Sequence, residues 1–341
     1  MSRALDAVLA SSLECDTGCE AYDAISEVLS LSSTSDLLDI EILGSSHILG
    51  GETYVLRDGR AVGISKIGLA QAFFTARAVL NKALRERTAA PSDEELMTAT
   101  LVVLLMDPEH LTAANVRKRI IQRRLSCSSG AEGRACVLLE KRVVDSLLTS
   151  RLHRHTKSPT LWSHRRWLVG CWQSLQMRVN VLDDIVGVVA VAGERHPRNY
   201  YGWSHARWLM SLDVQTPSEE VLLATKEWCL RHRDDTSGWS FLCFLLTVTV
   251  SDDKSICSGI FREVLTLVMN LRWTNESVWV FLRTLAARGL LGDDAHAEFE
   301  RACSRLIEST KDSAEQMRLQ TCYSWYNTYR WKSETYFGRV L

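Results

Sequence analysis

The chain has 341 residues, 46% of them hydrophobic, and its 40 Lys plus Arg against 41 Asp plus Glu leave a net charge of -1. That length exceeds what one compact core usually serves, so two domains or an elongated array is expected. The even charge balance removes any general pull toward nucleic acid or an anionic membrane surface.

The ten cysteines, from Cys15 to Cys322, follow no regular framework and read as reduced thiols of a cytoplasmic protein. The longest apolar runs, residues 101–106 and 241–246, fall far short of the roughly 18 residues a membrane span needs. No basic stretch followed by an apolar one stands near Met1.

Residues 1–66 are less regular than the rest, with serines at Ser30, Ser32, Ser33 and Ser35. Within them, residues 54–64 alternate around Asp58-Gly59 and predict a β-hairpin. From Ile67 onward apolar residues recur at helical spacing, as in Leu69, Phe73, Ala76, Leu80 and Leu84. Ser92-Asp93-Glu94-Glu95 and Thr216-Pro217-Ser218-Glu219 mark helix starts. Polar breaks at 127–133 and 251–255 predict loops. The expected organisation is a helical region with a β-hairpin over residues 1–90, followed by an all-α repeat array over residues 91–341.

An internal repeat supports that array. Lys157-Ser-Pro-Thr-Leu-Trp162-Ser-His-Arg-Arg-Trp167-Leu168 matches Arg198-Asn-Tyr-Tyr-Gly-Trp203-Ser-His-Ala-Arg-Trp208-Leu209, and weaker copies lead with Trp239 and Trp279. The leading tryptophans are 41, 36 and 40 residues apart. An earlier copy carries Ala114 where the Trp would be, followed by Arg117-Lys118, and a degenerate last copy is expected at Trp325. A period near 40 with a Trp on each helix implies stacked helical hairpins, each burying its Trp face against the next. Trp162, Trp203, Trp239 and Trp279 are therefore read first as core.

The block Asn199-Tyr200-Tyr201-Gly202-Trp203-Ser204-His205, together with Trp162-Ser163-His164-Arg165-Arg166, resembles the repeat of protein prenyltransferase α subunits, over about residues 92–330. Residues 104–110, Asn115-Val116-Arg117-Lys118 and Lys157-Ser158-Pro159 resemble a divergent branch of that family. The resemblance implies an α-α superhelix that pairs with a separate β subunit, of the Rab geranylgeranyltransferase type, which holds the zinc and most of the isoprenoid pocket. Isoprenoid diphosphate and proteins with C-terminal cysteines are the implied substrates. No cofactor is expected in this chain. Its own Gly338-Arg339-Val340-Leu341 end lacks the cysteine of the usual prenyl acceptor.

Prenyl transfer to a thiolate expels diphosphate, so cations and hydroxyl donors around the leaving oxygens stabilise the developing charge. The resemblance assigns a diphosphate-binding lysine to Lys157 and a diphosphate-contacting tyrosine to Tyr200, with Asn199 and Tyr201 beside them. Pro159 stands where the first strong copy would carry its own tyrosine. The ordinary readings are a solvated loop lysine and, for Asn199 and Tyr200, a hairpin cap and packing. Arg165, Arg166 and Arg207 are expected to pair with carboxylates of neighbouring hairpins. The Cys15/Cys19 and His153/His155 pairs lack further ligands for a metal, and no CxxC, HExxH or Gly-rich phosphate loop occurs. The competing function is a non-catalytic helical-repeat adaptor that binds protein partners.

Overall fold

The structure is a computed structural model that describes residues 17–30, 36–44, 54–85, 91–127, 130–212, 218–249, 254–288, 291 and 294–330. Expectations for Cys15, for Ser32, Ser33 and Ser35, for Thr216-Pro217 and for the last four residues lie outside them.

Helix α1 (Thr17–Ser30) buries Ala21, Ile25 and Leu29, spaced four apart on one face, and packs against α2 (Lys66–Arg85). Between them, β2 (Val55–Asp58) and β3 (Ala61–Ser65) form the expected antiparallel hairpin. Gly59 takes the left-handed conformation, φ 58°, that its turn requires. A strand the sequence reading did not separate, β1 (Asp39–Leu43), pairs in parallel with β3 and completes a sheet of order β1-β3-β2. Its Ile40 is buried, and the Ile40 carbonyl accepts from the Arg151 backbone N–H at 3.1 Å.

Helix dominates from there. In α3 (Asp93–Met106) the Ser92 hydroxyl accepts from Glu95 N, while Ser92 N donates to the Glu95 carboxylate at 2.7 Å, a complete capping box. Next come α4 (Leu111–Cys127) and α5 (Gly130–Thr149). The loop expected over 127–133 is therefore shorter, because helix resumes at Gly130. Gly133 is what misled: it allows close helix packing, since a Cβ there would stand 3.0 Å from Leu125 Cδ2. Likewise Lys254 and Ser255 already belong to a helix rather than to the expected break.

A single turn, α6 (His153–Thr156), leads to α7 (Pro159–Ser174), capped by Ser158 and carrying Pro159 at its first position, where the missing N–H costs nothing. Then α8 (Val181–Asp184), a π-helical stretch (Ile185–Ala190) and α9 (Val191–Arg195) run on continuously, followed by α10 (Tyr200–Leu212). The later helices are α11 (Glu219–Arg231), α12 (Thr236–Thr249), α13 (Lys254–Leu271), α14 (Glu276–Ala287), α15 (Asp294–Ser309) and α16 (Ser313–Tyr329). The chain divides into two compact units, one ending at His205 and the other beginning at Ala206.

In both units helices touch their next-but-one neighbours: α5 with α7 in the first, and α12 with α14, α14 with α16 and α13 with α15 in the second. This is the contact pattern of stacked hairpins. Trp162, Trp203, Trp239 and Trp279 are all buried. Trp162 packs on His205, and Trp239 on Phe281, with ring centroids 5.2 and 5.0 Å apart. In each case the partner lies two residues after the following leading Trp. Ala114, in the Trp position of the early copy, is also buried. On α16 the buried aromatic is Tyr326, not Trp325. Trp325 is half-buried beneath the Arg283 guanidinium at 4.5 Å, whereas Tyr326 packs on Phe299 and bonds His296 through its hydroxyl at 2.9 Å.

Candidate functional site at the starts of two repeat helices

The first unit brings together the two segments that carry the predicted contact residues. The Thr156 carbonyl accepts two hydrogen bonds, one from Trp162 Nε1 at 2.9 Å and one from Asn199 Nδ2 at 2.7 Å. Asn199 is fully buried, and its Oδ1 accepts from Gly202 N at 3.1 Å, capping α10. Its amide is thus consumed inside the fold, tying the residue before Lys157 to the residue before Tyr200. Gly202 permits the approach: a Cβ there would stand 3.1 Å from the Trp162 ring.

Around this clamp the outward-facing groups are aromatic or cationic. Tyr200 is 63% exposed and Tyr201 38%, their rings meeting edge-on at 5.7 Å. Lys157 is half-buried. His153 and His196 stand with their Nδ1 atoms 3.4 Å apart. Burial first, then the charges of Lys157 and His153, lower the His196 pKa from its ordinary value. Arg198 adopts φ 59° and stands five residues before Trp203, the offset at which Lys157 precedes Trp162. Two arginines nearby are neutralised: Arg154 by Asp107 at 3.1 Å and Arg195 by Asp39 at 3.4 Å. His153, His196 and Arg198 were missed because a single copy of the repeat does not reveal their neighbourhood; the Lys157/Arg198 offset was the signal that could have found the arginine.

The repeat arginines divide into different roles. Arg165 is fully buried and donates to Asp145 from Nε and to Asp184 from Nη2, each at 2.7 Å. Lys141 bridges the same two carboxylates at 2.7 and 2.9 Å, so two cations balance two anions. Burial raises the Asp184 carboxyl, but Arg165 and Lys141 outweigh it and hold the pKa below its usual value. Arg165 Nη1 lies 2.7 Å from His205 Nε2, which therefore acts as acceptor; burial, then the Arg165 charge, keeps this imidazole neutral.

Arg117, three residues after Ala114 as Arg165 is three after Trp162, repeats the device with a two-pronged pair to Glu140 at 2.7 and 2.6 Å. His164 stands 3.3 Å from the same carboxylate, and burial pushes its pKa down to about 4. Arg166 is exposed. Arg207, in the second unit, donates to the Ser240 hydroxyl at 2.8 Å.

Among the described residues no group of three His, Cys, Asp or Glu could hold a metal ion, and no helix is long and apolar enough to cross a membrane. The described cysteines are free thiols.

Comparison with known proteins gives this geometry its context. The model of the ECM9 middle domain matches residues 161–266, which contain the copies led by Trp162, Trp203 and Trp239. Protein prenyltransferase alpha subunit repeat-containing protein 1 of Homo sapiens is 29% identical over 199 residues, covering 51% of this chain and 45% of its own length. Over about half its length the chain is thus similar to a prenyltransferase α-subunit repeat-containing protein. Protein ECM9 of Saccharomyces cerevisiae is 30% identical over 174 residues, covering 51% of this chain and 45% of its own length. Geranylgeranyl transferase type-2 subunit alpha of Sus scrofa is 27% identical over 218 residues, 60% of this chain and 36% of its own length. The chain thus spans about half or less of the curated relatives it matches. The resemblance read from the Asn-Tyr-x-x-Trp-x-His block and the all-helical repeat fold both hold.

Proposed function

We propose that this chain is the α-type subunit of a heterodimeric protein prenyltransferase that transfers a geranylgeranyl group from its diphosphate to protein cysteines. The observation that carries the reading is the Asn199–Thr156 clamp, which ties the residue before Lys157 to the residue before the exposed Tyr200. Similarity to a geranylgeranyl transferase α subunit supports it. A separate β subunit would supply zinc, which keeps the acceptor cysteine as thiolate, and most of the isoprenoid pocket.

In the reaction the thiolate sulfur bonds to the first carbon of the isoprenoid as the carbon–oxygen bond breaks. The electron pair leaves on the diphosphate. Lys157 and Tyr200 then stabilise that charge by an ionic and a hydroxyl hydrogen bond, with Tyr201 walling the site. Asn199 acts as a positioning residue. A second reading, a non-catalytic adaptor, draws on Pro159 in place of a tyrosine and on the wholly structural use of Arg165 and Asn199.

Coexpression with a zinc-bearing β subunit separates the two. The first reading expects a stoichiometric complex with prenyl-transfer activity and no turnover by this chain alone. A stable complex that never transfers supports the adaptor, and turnover with stoichiometric zinc in the isolated chain contradicts both.

A further inference from the structure

Ion pairs join the first helices of successive hairpins across the exposed side of the second unit. Lys226 of α11 bonds Glu263 of α13 at 2.7 Å, and Arg262 Nε of α13 donates to both carboxylate oxygens of Glu298 on α15 at 3.2 and 3.1 Å. Beyond that second rung the ladder stops. One and two turns after Glu298, α15 presents Arg301 and Arg305, whereas α13 presents only Thr266 and Asn270 at the matching steps after Arg262.

Both arginines are exposed, and among the described residues neither has an ion pair or a hydrogen bond. Of the carboxylates near them on α15, Glu300 is bonded to Arg330, and Glu308 makes no ion pair among the described residues. Arg301 and Arg305 border a groove between α13 and α15 with a volume of about 370 Å³. Its floor is apolar, with Leu265 and Ala302 buried and Met269 half-buried. Three arginines and one glutamate line it, and that glutamate is already held by Arg262.

The groove therefore offers positive charge beside an apolar strip along two exposed helix surfaces. A small anion would engage the arginines and leave the strip uncovered. A helix carrying acidic side chains one turn apart meets both features, because that spacing is also the spacing of Arg301 and Arg305 on their own helix, and an apolar side chain of the same helix face reaches the floor. We infer that the α13/α15 groove docks an acidic amphipathic helix of a partner protein, its carboxylates pairing with Arg301 and Arg305 and its apolar side chain covering Leu265, Met269 and Ala302. The partner completes the ion-pair ladder that α13 leaves unfinished, and the charges select it more than they tighten it.

Fluorescence anisotropy tests the inference with the full chain and a labelled short helical peptide that carries two glutamates one turn apart beside a leucine. Matching peptides with glutamines or lysines in place of the glutamates serve as controls. The expected result is saturable binding of the glutamate peptide that weakens as salt rises. The glutamine peptide should bind about tenfold more weakly, the scale of two exposed ion pairs, and the lysine peptide should not bind. Arg301→Gln and Arg305→Gln should each weaken binding about two- to fivefold, with the melting temperature unchanged because both side chains are exposed and unpaired. Changing both to Glu should reverse the preference, so that the lysine peptide binds and the glutamate peptide does not.

Lys157→Ala should bind the peptide as the parent chain does, which separates the inference from the prenyl-transfer proposal. Absence of saturation overturns the inference, as does equal binding of the glutamate and glutamine peptides. Binding of the glutamate peptide retained by the double Glu variant, or lost in Lys157→Ala, overturns it too. Displacement of the peptide by inorganic phosphate would make this a small-anion site, and tighter binding of single-stranded DNA or of phosphatidylserine vesicles would make it a general polyanion surface; either contradicts a docking site for an acidic helix.

Discussion

The residue three positions after the leading repeat residue is Arg117 and Arg165 in the first unit, but Ala206, Leu242 and Leu282 in the second. All five are buried. The first unit thus fills the slot with guanidinium groups neutralised by Glu140 or by Asp145 and Asp184, whereas the second fills it with hydrocarbon. Both solutions keep the hairpin repeat, so what the position shares across copies is burial rather than charge. A buried ion cluster is no more stabilising than a well-packed apolar one, but it tolerates the loss of a single member badly.

That contrast yields its largest predicted effect at Arg165. Arg165→Ala leaves two buried carboxylates to share Lys141 alone and should cost about 3–5 kcal/mol, read as a large fall in denaturation midpoint. Replacing Arg165, Asp145 and Asp184 together by Met and Leu residues should recover most of that loss, since it rebuilds the second unit's solution in the first. A triple variant no more stable than Arg165→Ala would show that the charge network is itself required. Trp239→Ala, a cavity in the apolar solution, should cost about 3–5 kcal/mol with no rescue by charge changes. An unchanged thermal melt would contradict its burial.

Acid should act through buried imidazoles of the first unit. Burial holds both His155 and His164 near a pKa of about 4, against 6.5 when exposed. The unfolded chain therefore binds more protons than the folded one between those values, and stability falls as pH drops from about 6.5 toward 4. At pH 5 each should have lost about 2 kcal/mol. Denaturant midpoints at pH 7 and pH 5 measure this, and a flat profile would mean that both histidines take up protons in the fold as readily as in the unfolded chain. The smallest effect is Gly202→Ala, which presses a methyl toward the Trp162 ring and the Asn199 side chain and should cost about 1 kcal/mol. Its melt should fall by a few degrees, whereas Gly170→Ala, with open space around it, should not shift.

Much of the fold could be read from the sequence because its signals are local. The Ser92 capping box, the Asp58-Gly59 turn and the tryptophan period each lie within a short window. What escaped depends on long separations. The carboxylates of Arg165 lie 20 and 19 residues away on two different helices, and Arg207 meets Ser240 across 33 residues. β1 is short, and it follows a serine-rich stretch that reads as irregular. Tyr326 and Trp325 differ by one helical step, about 100°, which a degenerate repeat does not fix. At the candidate site, Lys157 and Tyr200 came from a motif offset, but the role of Asn199 needed its buried bond to Thr156.

The central claim is tested most directly by single-turnover prenyl transfer with the copurified heterodimer at saturating geranylgeranyl diphosphate. Lys157→Ala should leave the complex assembled and its melting temperature unchanged while slowing the chemical step roughly ten- to a thousand-fold, with Tyr200→Phe giving a smaller loss of the same kind. Wild-type rates in both variants would contradict the assignment of these residues to the leaving diphosphate.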